Sequence, residues 1–161
     1  MVIDKTAVIG FPVDHSLSPA IHNYWIKKLG LDIKPYEKIN VNPNTFEEQI
    51  NSLKQDGFGG LNVTVPLKEI AFNISDETSG VSKKLRSANT LTLGSDKING
   101  DNTDAVGFIN SLDKKTIEEN IANKKTLVLG AGGSARSVVY ALNQLGGHVR
   151  PVSYTHLTLP T

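Results

Sequence analysis

Two short stretches of this chain carry side chains able to do chemistry: Asn62-Val63-Thr64-Val65-Pro66-Leu67-Lys68 and Gly100-Asp101-Asn102-Thr103-Asp104. Together they supply an ammonium, a carboxylate and several neutral hydrogen-bonding groups. That set can hold a small polyhydroxylated molecule and move a proton on it. A third stretch, Gly130-Ala131-Gly132-Gly133-Ser134-Ala135, follows the dinucleotide-binding pattern of three small residues, with Ala135 in the third place. Glycines there permit a tight turn and let backbone N–H groups approach a pyrophosphate, and the following helix N-terminus adds partial positive charge. An electron carrier would sit at this loop, although a Gly-rich turn between strand and helix also serves packing alone.

Each residue has a plain reading beside the chemical one. Lys68 follows Pro66 at the end of a predicted strand, where parallel α/β sheets place their ligand crevices. It can donate to a substrate oxygen there, or stand exposed in the first turn of a helix. Thr64 can bond a ligand hydroxyl, or fill a strand position with its β-branched side chain. Asp104 lies in a first helical turn, which favours a carboxylate in any protein. Asp101, Asn102 and Thr103 before it also read as a capping sequence. Asn89, ahead of Thr90, reads as a turn residue. Ser16 and Ser18 flank Leu17 before Pro19, and Ser18 reads as an N-cap.

The elements that must position these residues follow from periodicity. Thr6-Ala7-Val8-Ile9 is a buried strand closed by Gly10 and Pro12. After Ser18-Pro19, Ile21, Tyr24, Trp25 and Leu29 recur at helical spacing as far as Gly30. Residues 35–41 alternate as a strand. Asn44 or Thr45 caps a helix carrying Phe46, Ile50 and Leu53 that ends near Gly57, and residues 59–65 form a third strand halted by Pro66. This rhythm predicts an α/β fold, a mostly parallel sheet with helices on both faces. Residues 68–72 and 76–85 read as helical, 89–93 and 97–100 as a hairpin around Gly94-Ser95-Asp96, and 103–112 as a helix. The polar segment 113–124 reads as a linker. Residues 125–129 then form a strand, followed by the glycine loop and a helix over 134–145.

Composition narrows the function class. Hydrophobic residues are 39% and charged residues 20% of 161, ordinary for a soluble globular chain. A formal net charge of +1 gives no electrostatic reason to expect nucleic acid or an anionic membrane as partner. No apolar run approaches the ~20 residues that span a bilayer, and Asp4 and Lys5 interrupt the N-terminal apolar stretch, which therefore lacks a signal-peptide core. The absence of cysteine excludes disulfides and thiolate-bound metal, and fits a reducing cytoplasm. The four histidines have no ligand-like spacing, and no metal site is expected.

In combination the motifs are specific. Ser16-Leu17-Ser18-Pro19, Asn62 to Lys68, Ala88-Asn89-Thr90, Gly100 to Asp104 and Gly130-Ala131-Gly132-Gly133 stand in the order and spacing of the shikimate dehydrogenase family, which the chain resembles over roughly residues 4–149. The resemblance implies a substrate-binding catalytic α/β domain over 1–112, a linker over 113–124 and the start of a Rossmann domain binding NADP over 125–149. The implied activity is reversible reduction of 3-dehydroshikimate to shikimate, in the pathway to aromatic amino acids. By the same resemblance Ser16 and Ser18 hold the substrate carboxylate, and Thr64, Asn89 and Asp104 contact ring hydroxyls. Asn62 and Thr103 support them. Lys68 and Asp104 resemble the catalytic pair, with Lys68 the choice for proton transfer and Asp104 orienting the hydroxyl. Gly130, Ala131, Gly132, Gly133 and Ser134 would cradle the cofactor phosphates.

The resemblance ends early. Where the second Rossmann strand should close with Asn-Arg-Thr, the chain has Ser153-Tyr154-Thr155, so the Arg for the NADP 2′-phosphate is missing. Pro151 falls inside the would-be strand, where it removes a ladder donor. Residues 150–161 read as a tail foreign to the family. The chain as given is expected to be inactive alone. A quinate/shikimate dehydrogenase using NAD and a non-catalytic shikimate-binding fragment stand as alternatives, and a homodimer is open for the intact protein.

Overall fold

The structure, a computed structural model, describes residues 5–130 and 132–152. The chain divides into two compact units, residues 1–102 and residues 103–161. This division falls ahead of the 113–124 segment that the sequence marks as a linker. The helix at 104–110 goes with the second unit because it packs against the helix at 133–144.

The first unit contains strands β1 (Lys5–Gly10), β2 (Glu37–Asn40), β3 (Phe58–Val63), β4 (Glu77–Thr78), β5 (Thr90–Leu93) and β6 (Ile98–Asp101), and helices α1 (Ser18–Leu29), α2 (Phe46–Gln55), α3 (Lys68–Asn73) and α4 (Gly80–Leu85). The strands form one sheet in the order β2-β1-β3-β5-β6-β4. β1 runs parallel to β2 and β3, with Val8 opposite Asn62 and Ile9 opposite Val63. β5 is antiparallel to β3 and β6, forming the expected hairpin, and β4 is parallel to β6. The α/β fold with a largely parallel sheet is the one the strand–helix rhythm predicts.

Strand alternation sorts the side chains onto two faces. Ala7, Ile9, Leu61, Val63 and Leu91 point to one side, where Phe46, Ile50 and Leu53 of α2 and Ala71 of α3 cover them. Each of these large side chains contributes about 1.5–3 kcal/mol by leaving water. Val8 points to the other side, with Val13, Tyr36 and Ile26 of α1. Helices therefore cover both faces.

α1 departs from its sequence pattern. The side chains that recur at helical spacing face outward: Ile21, Tyr24, Trp25 and Leu29 are 48%, 59%, 48% and 66% exposed. The half-buried face is His22, Asn23 and Ile26. Ser18 is not the N-cap. Leu17 holds that place without a side-chain bond, and the Ser16 hydroxyl accepts from the Ser18 N–H at 3.3 Å. The helix ends at Gly30, whose φ of 61° is left-handed, with Lys27 and Lys28 in the last turn complementing the dipole.

The predicted helix over 76–85 also needs correction. Asp76 is bound to Ile98 twice, donating its N–H to the carbonyl at 2.9 Å and accepting the Ile98 N–H on Oδ2 at 2.7 Å. That ladder draws Glu77 and Thr78 into β4, and the helix starts only after Ser79, whose Oγ accepts from the Ser82 N–H.

The second unit comprises α5 (Asp104–Asn110), a short α6 (Lys114–Thr116) running into a π-helical turn at Ile117–Ile121, β7 (Lys125–Leu129), α7 (Gly133–Gln144) and β8 (His148–Val152). β7 and β8 pair in parallel across α7, the βαβ arrangement of a Rossmann unit. Pro151 does not interrupt β8. The His148 N–H donates to Lys124, and the Val152 carbonyl accepts from Gly130. Even-numbered residues of β8 therefore bond β7, and the Pro151 nitrogen faces away from β7, so no ladder donor is lost between the two strands.

Candidate functional site

The first unit gathers its polar residues at one end of the sheet. β1 and β3 are parallel, so their C-terminal ends lie together, and the start of β5 and the end of β6 lie at the same edge. The chain leaves β1 through a cis Phe11–Pro12 bond and β3 through a cis Val65–Pro66 bond. The two turns are tied to each other: Phe11 N–H donates to the Val65 carbonyl at 3.2 Å and Thr64 N–H to the Ile9 carbonyl at 2.9 Å.

The turn after β1 leads to Ser16 and Ser18. It is anchored by Asn40 at the end of β2, whose Oδ1 accepts from the Val13 N–H at 2.9 Å, and by Lys38 bonding the Asp14 carbonyl. Ser16 N–H closes back on the Val13 carbonyl at 3.0 Å. Both serines are half-buried.

The turn after β3 places Thr64 and Lys68. Leu67 N–H donates to the Thr64 carbonyl at 2.9 Å, and Leu67 is fully buried as an anchor. Lys68 opens α3 half-buried, and its carbonyl accepts from the Ala88 N–H at 2.9 Å. That bond ties the lysine to the segment before β5. Asn89 is fixed on both sides, donating to Asp101 at 2.9 Å and accepting from Val63 at 2.7 Å through its backbone. Its side-chain oxygen accepts from the Thr90 hydroxyl at 3.0 Å. Ser16, Ser18, Thr64, Lys68 and Asn89 are thus brought to one sheet edge by short backbone bridges. An oxygen-rich ligand there would meet hydroxyls, an amide and an ammonium.

Asp104 is the first residue of α5 in the second unit and is half-buried. Just before it, Asn102 is 2% exposed and donates from Nδ2 to the Ser87 carbonyl at 3.0 Å; that carbonyl also accepts from the buried Ser82 hydroxyl at 2.9 Å. This lock fixes where the chain leaves β6.

Two residues beyond the sequence candidates shape the site. Gly10 sits under Thr64: a Cβ on it would lie 2.6 Å from Thr64 Cγ2. Its reading as a strand terminator carried no signal of that contact. Tyr36, 5% exposed, donates its hydroxyl to Asn62 Oδ1 at 2.6 Å. Burial pushes the Tyr36 phenol well above its ordinary range and the His22 imidazole, stacked on it at 4.1 Å, below its own. Tyr36 precedes β2 in phase with the polar Lys38 and Asn40, so the local pattern signals neither its burial nor its partner.

In the second unit the loop after β7 fits phosphate groups. Gly130 has φ +129°, which demands glycine, and Cβ atoms on Gly132 or Gly133 would meet nothing within 4 Å. α7 begins with Gly132 as N-cap, no side-chain cap and no acid in its first turn, so the first turn itself sets no carboxylate against its N-terminal N–H groups. Ser134 lies in that first turn. Ala131 and Ser153-Tyr154-Thr155 lie outside the described residues. Among the described residues no three His, Asp or Glu side chains cluster as a metal ion would need.

Comparison with known proteins places these features. A model of the shikimate dehydrogenase substrate binding domain matches residues 8–91. Shikimate dehydrogenase (NADP(+)) of Pelagibacter ubique is 44% identical over 138 residues, 86% of this chain and 51% of that protein. The Brucella abortus protein of the same description is 42% identical over 152 residues, 94% of this chain and 52% of that one. The chain spans about half the length of the curated relatives it matches. The crystal structure of shikimate dehydrogenase from Aquifex aeolicus matches with a TM-score of 0.86 at 38% identity, over 96% of this chain and 58% of that one. Shikimate 5-dehydrogenase from Thermus thermophilus, solved in complex with NADP(H) and shikimate, matches with a TM-score of 0.81 at 34% identity, over 94% and 56%.

Proposed function

The chain belongs to the shikimate dehydrogenase family, and from that premise we propose that it carries the substrate half of an NADP-dependent enzyme interconverting 3-dehydroshikimate and shikimate. The observation that supports this most is the gathering of Ser16, Ser18, Thr64, Lys68 and Asn89 at one sheet edge. A carboxylated polyol needs two kinds of partner, and this edge offers both. The Ser16 and Ser18 hydroxyls donate to the carboxylate, and Thr64 and Asn89 take ring hydroxyls.

Gly130, Ala131, Gly132, Gly133 and Ser134 would hold the phosphates of NADPH, which would supply the hydride for the C3 carbon. Reduction of the ketone then requires one proton on the C3 oxygen. Lys68 gives it: its ammonium stabilises negative charge growing on that oxygen and can pass a proton to it. In the oxidative direction the neutral amine takes the proton back. Asp104, the first residue of α5, is the carboxylate proposed to orient the reacting hydroxyl.

The test is shikimate-dependent reduction of NADP(+) by the chain extended to its relatives' length. Turnover is expected, and Lys68→Ala should lower kcat by about 10²–10⁴ with a smaller change in KM. Unchanged kcat would remove Lys68 from the mechanism, and no activity on shikimate would end the reading. The 161-residue chain alone is expected to bind without turnover, since its nucleotide-binding part holds one strand–helix–strand unit.

A further inference from the structure

We infer that Tyr36 is a positioning residue for the substrate, acting through Asn62. The inference rests on reading the first unit as a substrate half-site. Tyr36 is held at three points. Asn23 of α1 clasps its backbone, accepting the N–H on Oδ1 at 2.7 Å and donating Nδ2 to the carbonyl at 3.0 Å. The His22 ring lies parallel to its ring at 4.1 Å. Its hydroxyl ends on Asn62 Oδ1 at 2.6 Å. A side chain this constrained presents its O–H in one direction.

In the structure the amide is turned with Oδ1 toward the phenol and Nδ2 at the other corner. An asparagine side chain offers an acceptor at one corner and two donors at the other, and it can turn either way. With Oδ1 accepting from the phenol, the corner of Asn62 turned away from Tyr36 carries the two Nδ2 donors. They belong to the sheet face that also carries Thr64, whose methyl lies against the Gly10 and Val13 positions on the Tyr36 side. Asn62 is half-buried and two residues from Thr64. A donor corner suits an oxygen that carries or gains negative charge, whereas a reversed amide would set an acceptor against it.

The experiment is a double-mutant cycle read by shikimate titration of the chain with ¹⁵N spectra. Tyr36→Phe should weaken shikimate about tenfold, the value of one hydrogen bond to an oriented donor. In an Asn62→Ala background the same change should add nothing. Asn62→Asp keeps an acceptor for the phenol but removes both donors, so it should lose affinity while keeping the thermal midpoint near that of the parent. Equal losses from Tyr36→Phe in both backgrounds, or full affinity in Asn62→Asp, would overturn the inference. If the parent chain does not bind shikimate, the substrate reading fails on its own. Read without ligand, Asn62 Nδ2 resonances unmoved in Tyr36→Phe would end the positioning on separate grounds.

Discussion

Gly10 and Thr64 meet across β1 and the end of β3 with no room for another carbon: a Cβ on Gly10 would come within 2.6 Å of Thr64 Cγ2 and 3.2 Å of Val13. The glycine is what lets Thr64 lie over the strand in the place where it can reach a ligand. Gly10→Ala should therefore push Thr64 aside and cost about 1–3 kcal/mol, as overpacking does. Urea denaturation measures it. Gly80→Ala, where an added Cβ meets nothing within 4 Å, should stay within about 0.5 kcal/mol of the parent. Equal midpoints for the two variants would refute the contact.

Gly100 makes a second close approach. A Cβ there would stand 2.4 Å from Ser75 Oγ, which donates to the Ala71 carbonyl at 2.7 Å. Gly100→Ala should destabilise by about 1–3 kcal/mol. Because Ser75 is the obstacle, Gly100→Ala combined with Ser75→Ala should cost less than the two single changes summed. Strict additivity would place the strain elsewhere.

Stability should depend on pH through His22. Burial lowers its pKa from 6.5 in the fold, so the unfolded chain takes up the proton first as pH falls. The contribution is fully present above about pH 6.5 and is lost as pH drops through the depressed folded value. Comparing urea midpoints at about pH 7.5 and about pH 5.5, the parent should lose more than His22→Phe, which keeps an aromatic ring against Tyr36. Identical losses would show that the imidazole stays neutral or charged alike in both states.

Where chemistry and local pattern coincide, the sequence is readable. β1, α2 and β3 announce themselves through apolar spacing and the turn residues that end them, and the start of α3 at Lys68 follows from the stop at Pro66. Contacts between distant residues are not readable. Nothing near Tyr36 points to Asn62, 26 positions on. β4, two residues long, is invisible because its existence depends on Asp76 bonding to Ile98. α1 is legible as a helix but not by face, since His22 and Asn23 turn inward to hold Tyr36 and the apolar stripe stays outside. The unit division after Asn102 escapes the sequence because α5 owes its place to α7, more than twenty residues later.

Ser16, Ser18, Thr64, Lys68 and Asn89 make one end of the first unit's sheet the proposed half-site for shikimate. The direct measurement is a shikimate titration of the chain followed by backbone ¹⁵N shifts, with Thr64→Ala beside the parent. Saturable shifts are expected at Ser16, Ser18, Thr64, Lys68 and Asn89, lost in Thr64→Ala while the remaining spectrum holds. Shifts absent at saturating ligand, centred on other residues, or unchanged in Thr64→Ala would contradict it.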